Sequence, residues 1–161
     1  MITLRKLRTD DIATIKAWPP YPSDCTELDY ALRDGGWLDT YAGKAGIEFL
    51  VAMDGDSIVG FSVLEREPGR RAEFRIALHP EKIGHGLGKT IALLTLEHGF
   101  SDPDIDVIRL IVRKNNPRAQ RLYESLNFRR TGECTEVVQG TLVAFWSMEI
   151  DRATFREAER T

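Results

Sequence analysis

The sequence predicts an α+β fold built on one mixed sheet. Three observations carry this. Three strand-like stretches lie between residues 48 and 79, two strand-then-helix units overlap and follow them, and the chain closes on a hairpin around Gln139-Gly140. In order, Ile2 to Leu7 alternates well enough for a first strand. Thr9-Asp10-Asp11 offers a cap and an acidic first turn to a helix carrying Ile12, Ile15 and Trp18, which Pro19-Pro20 stops. Ser23 to Lys44 suits one or two short helices broken at Gly35-Gly36, with Leu28, Leu32, Trp37 and Tyr41 available to face inward. Glu48 to Met53, Ser57 to Leu64 and Arg71 to His79, joined at Asp54-Gly55-Asp56 and Pro68-Gly69, read as an antiparallel meander. An apolar helix then runs to about Phe100 with Leu87, Ile91 and Leu94 on one face. Val107 to Val112 reads as a continuous apolar run typical of a buried strand. Pro117, at a favoured first position, opens a helix to about Leu126 with Ala119, Leu122, Tyr123 and Leu126 on one stripe. Phe128 to Val138 and Thr141 to Ile150 form the closing hairpin. The order brings two strand-helix units together near the middle of the sheet, where adjacent strands part and a slot opens.

At 161 residues, 42% hydrophobic and 29% charged, the composition fits one ordinary soluble domain, residues 1–150, followed by a charged C-terminal tail, 151–161. No apolar stretch approaches the roughly 18 to 20 residues that span a bilayer, and Met1 to Lys6 lacks the apolar core of a signal peptide. A membrane is therefore not an expected partner, and the cytoplasm is the expected home. The net charge of −3 argues against a broad nucleic-acid footprint. Cys25 and Cys134 lie far apart without a C-x-x-C partner and read as reduced thiols. His79, His85 and His98 have no metal-ligand spacing, so no metal is expected.

The most informative passage is Leu78-His79-Pro80-Glu81-Lys82-Ile83-Gly84-His85-Gly86-Leu87-Gly88-Lys89-Thr90. Three glycines in five residues let bare backbone approach a ligand, and the helix starting there aims unpaired N–H groups and a positive dipole end at it. A phosphate is the expected occupant. A Walker loop would need glycine at Ile83, one place before Gly84. A dinucleotide fingerprint would need glycine at Lys89 or Ile91.

Ala72-Glu73-Phe74-Arg75-Ile76-Ala77-Leu78-His79-Pro80-Glu81, Gly84-x-Gly86-x-Gly88, Asn116-Pro117-Arg118-Ala119 and Leu122-Tyr123-Glu124-Ser125-Leu126-Asn127-Phe128 together resemble the signature of the GNAT acetyltransferase superfamily. The likeness covers almost the whole chain in the family's order. Ala72 to Ile76 is most similar to the branch holding spermidine acetyltransferases and ribosomal-protein N-terminal acetyltransferases. The resemblance implies a GNAT-like mixed, mostly antiparallel sheet of about seven strands flanked by about four helices and splayed at its centre to hold the coenzyme. It implies acetyl-coenzyme A as co-substrate, with backbone N–H groups of His85, Gly86, Leu87, Gly88 and Lys89 on the pyrophosphate. Ala77 and Leu78 would pair with the pantetheine arm, the Leu78 N–H facing the thioester oxygen. Asn116 would hydrogen-bond the arm, or cap the helix behind it.

Acyl transfer to an amine also needs a base, because an alkyl ammonium with a pKa of about 10 has no free lone pair at neutral pH. Glu73 matches the branch's acidic position and would take that proton directly or through water. Its alternative is a carboxylate solvated or salt-bridged to Arg71 or Arg75. Tyr123 matches the family's tyrosine and would meet the departing sulfur, or else sit as a core tyrosine. Full donation from an ordinary phenol to a thiolate runs roughly 2 kcal/mol uphill, so a stabilising hydrogen bond is its main expected role. No partnered serine or cysteine nucleophile stands out, which favours direct attack in a ternary complex. Two departures from the family stand out. Ile83 replaces the usual Arg or Gln, and Asn127 replaces a common glycine but tolerates the left-handed backbone needed there. Between Asp24 and Asp39, five carboxylates (Asp24, Glu27, Asp29, Asp34, Asp39) face only Arg33 among aromatic residues. They suit either a solvated face or a wall for a cationic acceptor, a small amine or a peptide N-terminus. Family members often pair, so a homodimer is one expected partner. The competing functions are a coenzyme-binding module without turnover and a nucleotide-binding switch.

Overall fold

The computed structural model of the chain describes residues 1–160. Among the described residues seven strands, β1 (Ile2–Lys6), β2 (Ile47–Asp54), β3 (Ser57–Glu67), β4 (Arg71–Leu78), β5 (Val107–Arg113), β6 (Arg129–Val138) and β7 (Thr141–Asp151), lie in one sheet in the order β1-β2-β3-β4-β5-β7-β6. The β1–β2, β2–β3, β5–β7 and β6–β7 pairs are antiparallel and β4–β5 is parallel. In that parallel pair Arg71, Ala72 and Glu73 stand opposite Val107, Ile108 and Arg109, a register covering the first three of the eight residues of β4.

The described residues hold five α-helices, α1 (Thr9–Lys16), α2 (Trp37–Tyr41), α3 (Leu87–Phe100), α4 (Pro117–Ser125) and α5 (Arg152–Glu159), and 3-10 turns at Ser23–Leu32 and Pro80–Lys82. The fifth helix lies in the charged segment that sequence reading left as a tail. Its three apolar residues are too few to give a long apolar stripe, yet Phe155 is buried. Asp151 accepts from the Thr154 N–H (2.7 Å) as its N-cap. The first helix is capped differently from expectation. Arg8 holds the N-cap position, and Asp11 reaches back to the Arg8 N–H (2.7 Å) while pairing with Arg5 at 2.7 and 3.0 Å. At the end of α4, Asn127 takes φ 73°, the left-handed backbone expected of it. In the β6–β7 turn Gln139 and Gly140 take φ 49° and 79°, both positive as a tight hairpin requires.

The chain divides into two compact units, Met1–Glu65 with Arg75–Thr95, and Arg66–Phe74 with the chain from Leu96 onward. In the first, Ile15, Trp18, Tyr21, Leu32, Leu38, Phe49, Val51 and Phe61 form the main core, with Phe61 4.9 Å from Phe49 and 6.3 Å from Trp37 between ring centroids. Fully burying a ring such as Phe61 contributes about 1.5–3 kcal/mol. In the second, Ile108, Leu110 and Val112 of β5 are buried while the alternate positions are only partly so. β5 therefore has one buried face, and the sequence run read as continuously apolar is interrupted at Arg109. Phe155 of α5 stacks on Phe100 at 5.3 Å, and Arg152 donates to the carbonyls of Phe100, Asp102 and Ile105.

Candidate active site

The glycine loop belongs to the first unit. β4 ends at Leu78, and His79 caps the turn Pro80–Lys82, its Nδ1 accepting from the Glu81 N–H at 3.1 Å. Burial lowers the His79 pKa, so the ring is neutral, with its other nitrogen protonated, and lies 4.9 Å from the Trp18 ring. Gly84 and Gly86 take φ 86° and 78°, while a Cβ built on either would meet nothing within 4 Å. These glycines are thus required by backbone conformation, not by crowding. They are exposed, as are His85 and Lys89, and lead into α3, whose first-turn N–H groups at Leu87, Gly88 and Lys89 have no helical carbonyl to bind. This backbone fits a pyrophosphate: donors and the positive end of a 14-residue helix point from one exposed turn. Ile83, where a polar side chain was the family norm, packs against the first unit's core.

Ala77 and Leu78 close β4 in the same unit. Ala77 is buried. The Leu78 carbonyl accepts from the Tyr21 hydroxyl at 2.6 Å, and the His79 N–H donates to the Val59 carbonyl at 2.9 Å. Sequence reading missed Tyr21 as a partner of Leu78, because a hydrogen bond across 57 positions leaves no local pattern.

Glu73, Tyr123 and Asn116 belong to the second unit. Glu73 is buried on β4, two positions from each of Arg71 and Arg75. Arg71 pairs with Glu149 (2.7 Å) and Arg75 with Glu65 (3.1 Å). Glu73 meets Arg109, opposite it on β5, with Nη1 3.1 Å from Oε2. Arg109 in turn holds Glu67 with two hydrogen bonds, 2.6 and 2.5 Å, and these chiefly keep its guanidinium pKa above the ordinary arginine value. The signal for this group was Arg109 inside the otherwise apolar run from Val107 to Val112. The Tyr123 ring is buried, edge-on to Phe74 (6.2 Å) and Phe128 (5.7 Å), and burial alone raises its pKa. Glu73 and Phe74 are consecutive strand residues whose side chains leave opposite faces, so the carboxylate and the phenol ring that meets Phe74 lie on opposite sides of β4. Asn116 caps α4, its Oδ1 accepting from the Ala119 N–H at 3.2 Å.

The acidic segment of the first unit is largely paired. Arg33 grips Asp29 at 2.9 and 2.8 Å, and Lys16 meets Asp34 at 3.0 Å and Asp39 at 2.6 Å. Lys16, from α1, is the second base that counting charges within the segment overlooked. Asp29, Asp34 and Asp39 therefore have structural partners, which fits a solvated, paired face better than a dedicated cation cage. Among the described residues no group of three or more His, Cys, Asp and Glu is placed to hold a metal, and no helix is long and apolar enough to cross a membrane.

Comparison with known proteins adds sequence relatives and solved folds. A model described as the acetyltransferase (GNAT) family matches residues 10–128. Spermidine N(1)-acetyltransferase of Escherichia coli (strain K12) is 36% identical over 86 residues, 53% of this chain and 46% of the relative. Mycothiol acetyltransferase of Saccharopolyspora erythraea is 29% identical over 140 residues, 80% of this chain and 44% of the relative. The match thus spans about half the length of these curated relatives. Among solved structures, spermidine N-acetyltransferase from Vibrio cholerae in complex with CoA and spermine has a TM-score of 0.75 at 23% identity, covering 96% of this chain and 98% of that one. A spermidine/spermine N-acetyltransferase from the same organism in complex with manganese ions gives 0.76 at 22%, covering 98% and 96%. At these identities the structural likeness establishes the fold.

Proposed function

We propose that this chain, which belongs to the acetyltransferase (GNAT) family, moves an acetyl group from acetyl-coenzyme A to a primary amine by direct attack in a ternary complex. The observation that carries the proposal is the exposed turn at Gly84 and Gly86, with positive φ at both and unpaired N–H groups following at the start of α3. Acetyl-coenzyme A supplies the activated acyl thioester, and the chain's groups bind it and manage charge. His85, Gly86, Leu87, Gly88 and Lys89 offer backbone donors to its pyrophosphate. Ala77 and Leu78 offer strand-edge backbone to its arm, the Leu78 N–H serving the oxygen that gains charge. Asn116, whose Oδ1 is used as a cap, has its amide N–H groups as the part able to serve the arm.

As the carbon–nitrogen bond forms and the carbon–sulfur bond breaks, the amine loses a proton and the sulfur needs one. Glu73 is held by Arg109 at 3.1 Å, which fixes the place of its carboxylate. Its role in this scheme is to orient the amine and receive the proton through water. Tyr123, its pKa raised by burial, stays protonated and gives the sulfur a hydrogen bond, so the sulfur leaves as a thiolate and takes its proton from solvent. The two groups lie on opposite sides of β4, which suits one to the arriving nitrogen and the other to the departing sulfur.

A small amine or a peptide N-terminus is the proposed acceptor. Support for a polyamine comes from what the relatives are named for, since the acidic segment is mostly paired internally. The proposed setting is the cytoplasm, where free thiols such as Cys25 and Cys134 persist. A homodimer remains part of the proposal, without nucleic acid or membrane as partner. The test is a thermal-shift screen with acetyl-coenzyme A, followed by release of free thiol across an amine panel that includes spermidine and a short peptide. Binding with turnover on at least one amine is the expected result. Binding without turnover would make the chain a coenzyme-binding module, and tighter binding of ATP or GTP would make it a nucleotide switch.

A further inference from the structure

We propose that Tyr21 is a positioning residue for acyl transfer, holding the peptide after Leu78 in place and tying it to the acidic segment of the first unit; this rests on the assignment of the Leu78 N–H as donor to the thioester oxygen. The Leu78 carbonyl and the His79 N–H belong to one rigid, planar peptide. Its oxygen accepts from the Tyr21 hydroxyl at 2.6 Å and its N–H donates to the Val59 carbonyl at 2.9 Å, so the plane is fastened at both ends. The preceding carbonyl, that of Ala77, lies against β3, so close that a Cβ built on Gly60 would stand 2.9 Å from it. With both flanking groups held, the direction of the Leu78 N–H between them is set by the protein before any ligand arrives, which is what preorganised stabilisation of a developing oxyanion requires.

The other end of Tyr21 leads away from the strand. Its ring is buried in the first unit's core, and its backbone N–H donates to Asp29. Asp29 is gripped by both arms of Arg33, whose remaining donors reach the carbonyls of Lys16 (2.9 Å), Trp18 (2.7 Å) and Pro19 (3.0 Å). A continuous set of hydrogen bonds therefore joins the turn Ser23–Leu32 to the last residue of β4. The phenol has no other task in the mechanism. A displacement of that turn by an acceptor would reach the Leu78 peptide through Tyr21, making the acceptor segment part of the acyl-transfer geometry.

Tyr21→Phe keeps the ring and removes only the hydroxyl. The expected result is a fall in kcat of about tenfold, with the calorimetric Kd for coenzyme A changed less than about twofold. In the amide spectrum of the wild type, acetyl-coenzyme A shifts the Leu78 N–H differently from coenzyme A, and in Tyr21→Phe that difference shrinks. Asp29→Asn, which leaves the phenol in place, lowers kcat in the same direction by a smaller factor and covers the case in which the first variant does not fold. Wild-type kcat and an unchanged Leu78 response in Tyr21→Phe would overturn the role of Tyr21, and an unchanged kcat in Asp29→Asn would overturn the tie to the acidic segment. Wild-type protein that binds no coenzyme would take down the underlying assignment instead, and is recognised before any variant is compared.

Discussion

Glu73 shows how far a residue's chemistry depends on its neighbours. In the sequence it is an acid flanked by Arg71 and Arg75. In the fold Arg71 reaches Glu149 and Arg75 reaches Glu65, while Arg109, from a different strand, meets Glu73 and is shared with Glu67. A buried carboxylate held by a shared guanidinium is fixed in direction, which suits it to orient a cationic amine. Glu73→Gln should therefore lower kcat/KM for the amine about 10- to 100-fold while leaving coenzyme affinity in place, as steady-state rates and calorimetry would show. Unchanged kcat/KM would return Glu73 to a purely structural ion pair. Tyr123 was legible as the family's tyrosine, but the sequence left open whether it is also a core residue. The fold makes it both, since its ring packs between Phe74 and Phe128.

Among the elements, β4 carries the most consequence. Its first half, with Glu73, belongs to one compact unit and its second half, with Ala77 and Leu78, to the other. Its course was legible because three strand-like stretches separated by turn residues admit few alternatives. Its neighbours were not, because parallel pairing with β5 joins residues some 36 positions apart, and no local pattern encodes that. Gly60 on β3 reveals how closely β4 is approached. A Cβ there would stand 2.9 Å from both the Ala77 carbonyl and the Ile91 Cδ1. Gly60→Ala should cost about 1–3 kcal/mol of stability in urea unfolding, because a carbonyl in a ladder cannot yield as a side chain can. A cost below about 0.5 kcal/mol would mean that the strands relax apart readily.

Over the whole molecule, each compact unit contains one buried phenol, Tyr21 in the first and Tyr123 in the second, and burial raises both pKa values. The unfolded chain releases these protons from about pH 10 while the folded chain keeps them, so stability contributed by the neutral phenols is complete below that pH and is lost as pH rises toward the folded values. Each should contribute a decline of about 1.4 kcal/mol per pH unit above pH 10. Denaturant unfolding of the wild type, Tyr21→Phe and Tyr123→Phe between pH 9 and 11 would show it, and equal slopes in all three would refute it. The sequence by itself determined the order and extent of the strands and main helices, the glycine turn and the family, because hydrophobic period, turn residues and helix-start chemistry act over a few neighbouring positions. Only the tertiary structure decided that Arg109 meets Glu73, that Lys16 pairs with Asp34 and Asp39, that the charged end of the chain is a helix seated on Phe155, and that Tyr21 holds Leu78. Each of these joins groups that chain folding alone brings within a few ångströms, and hydrogen bonds and ion pairs act only at that range.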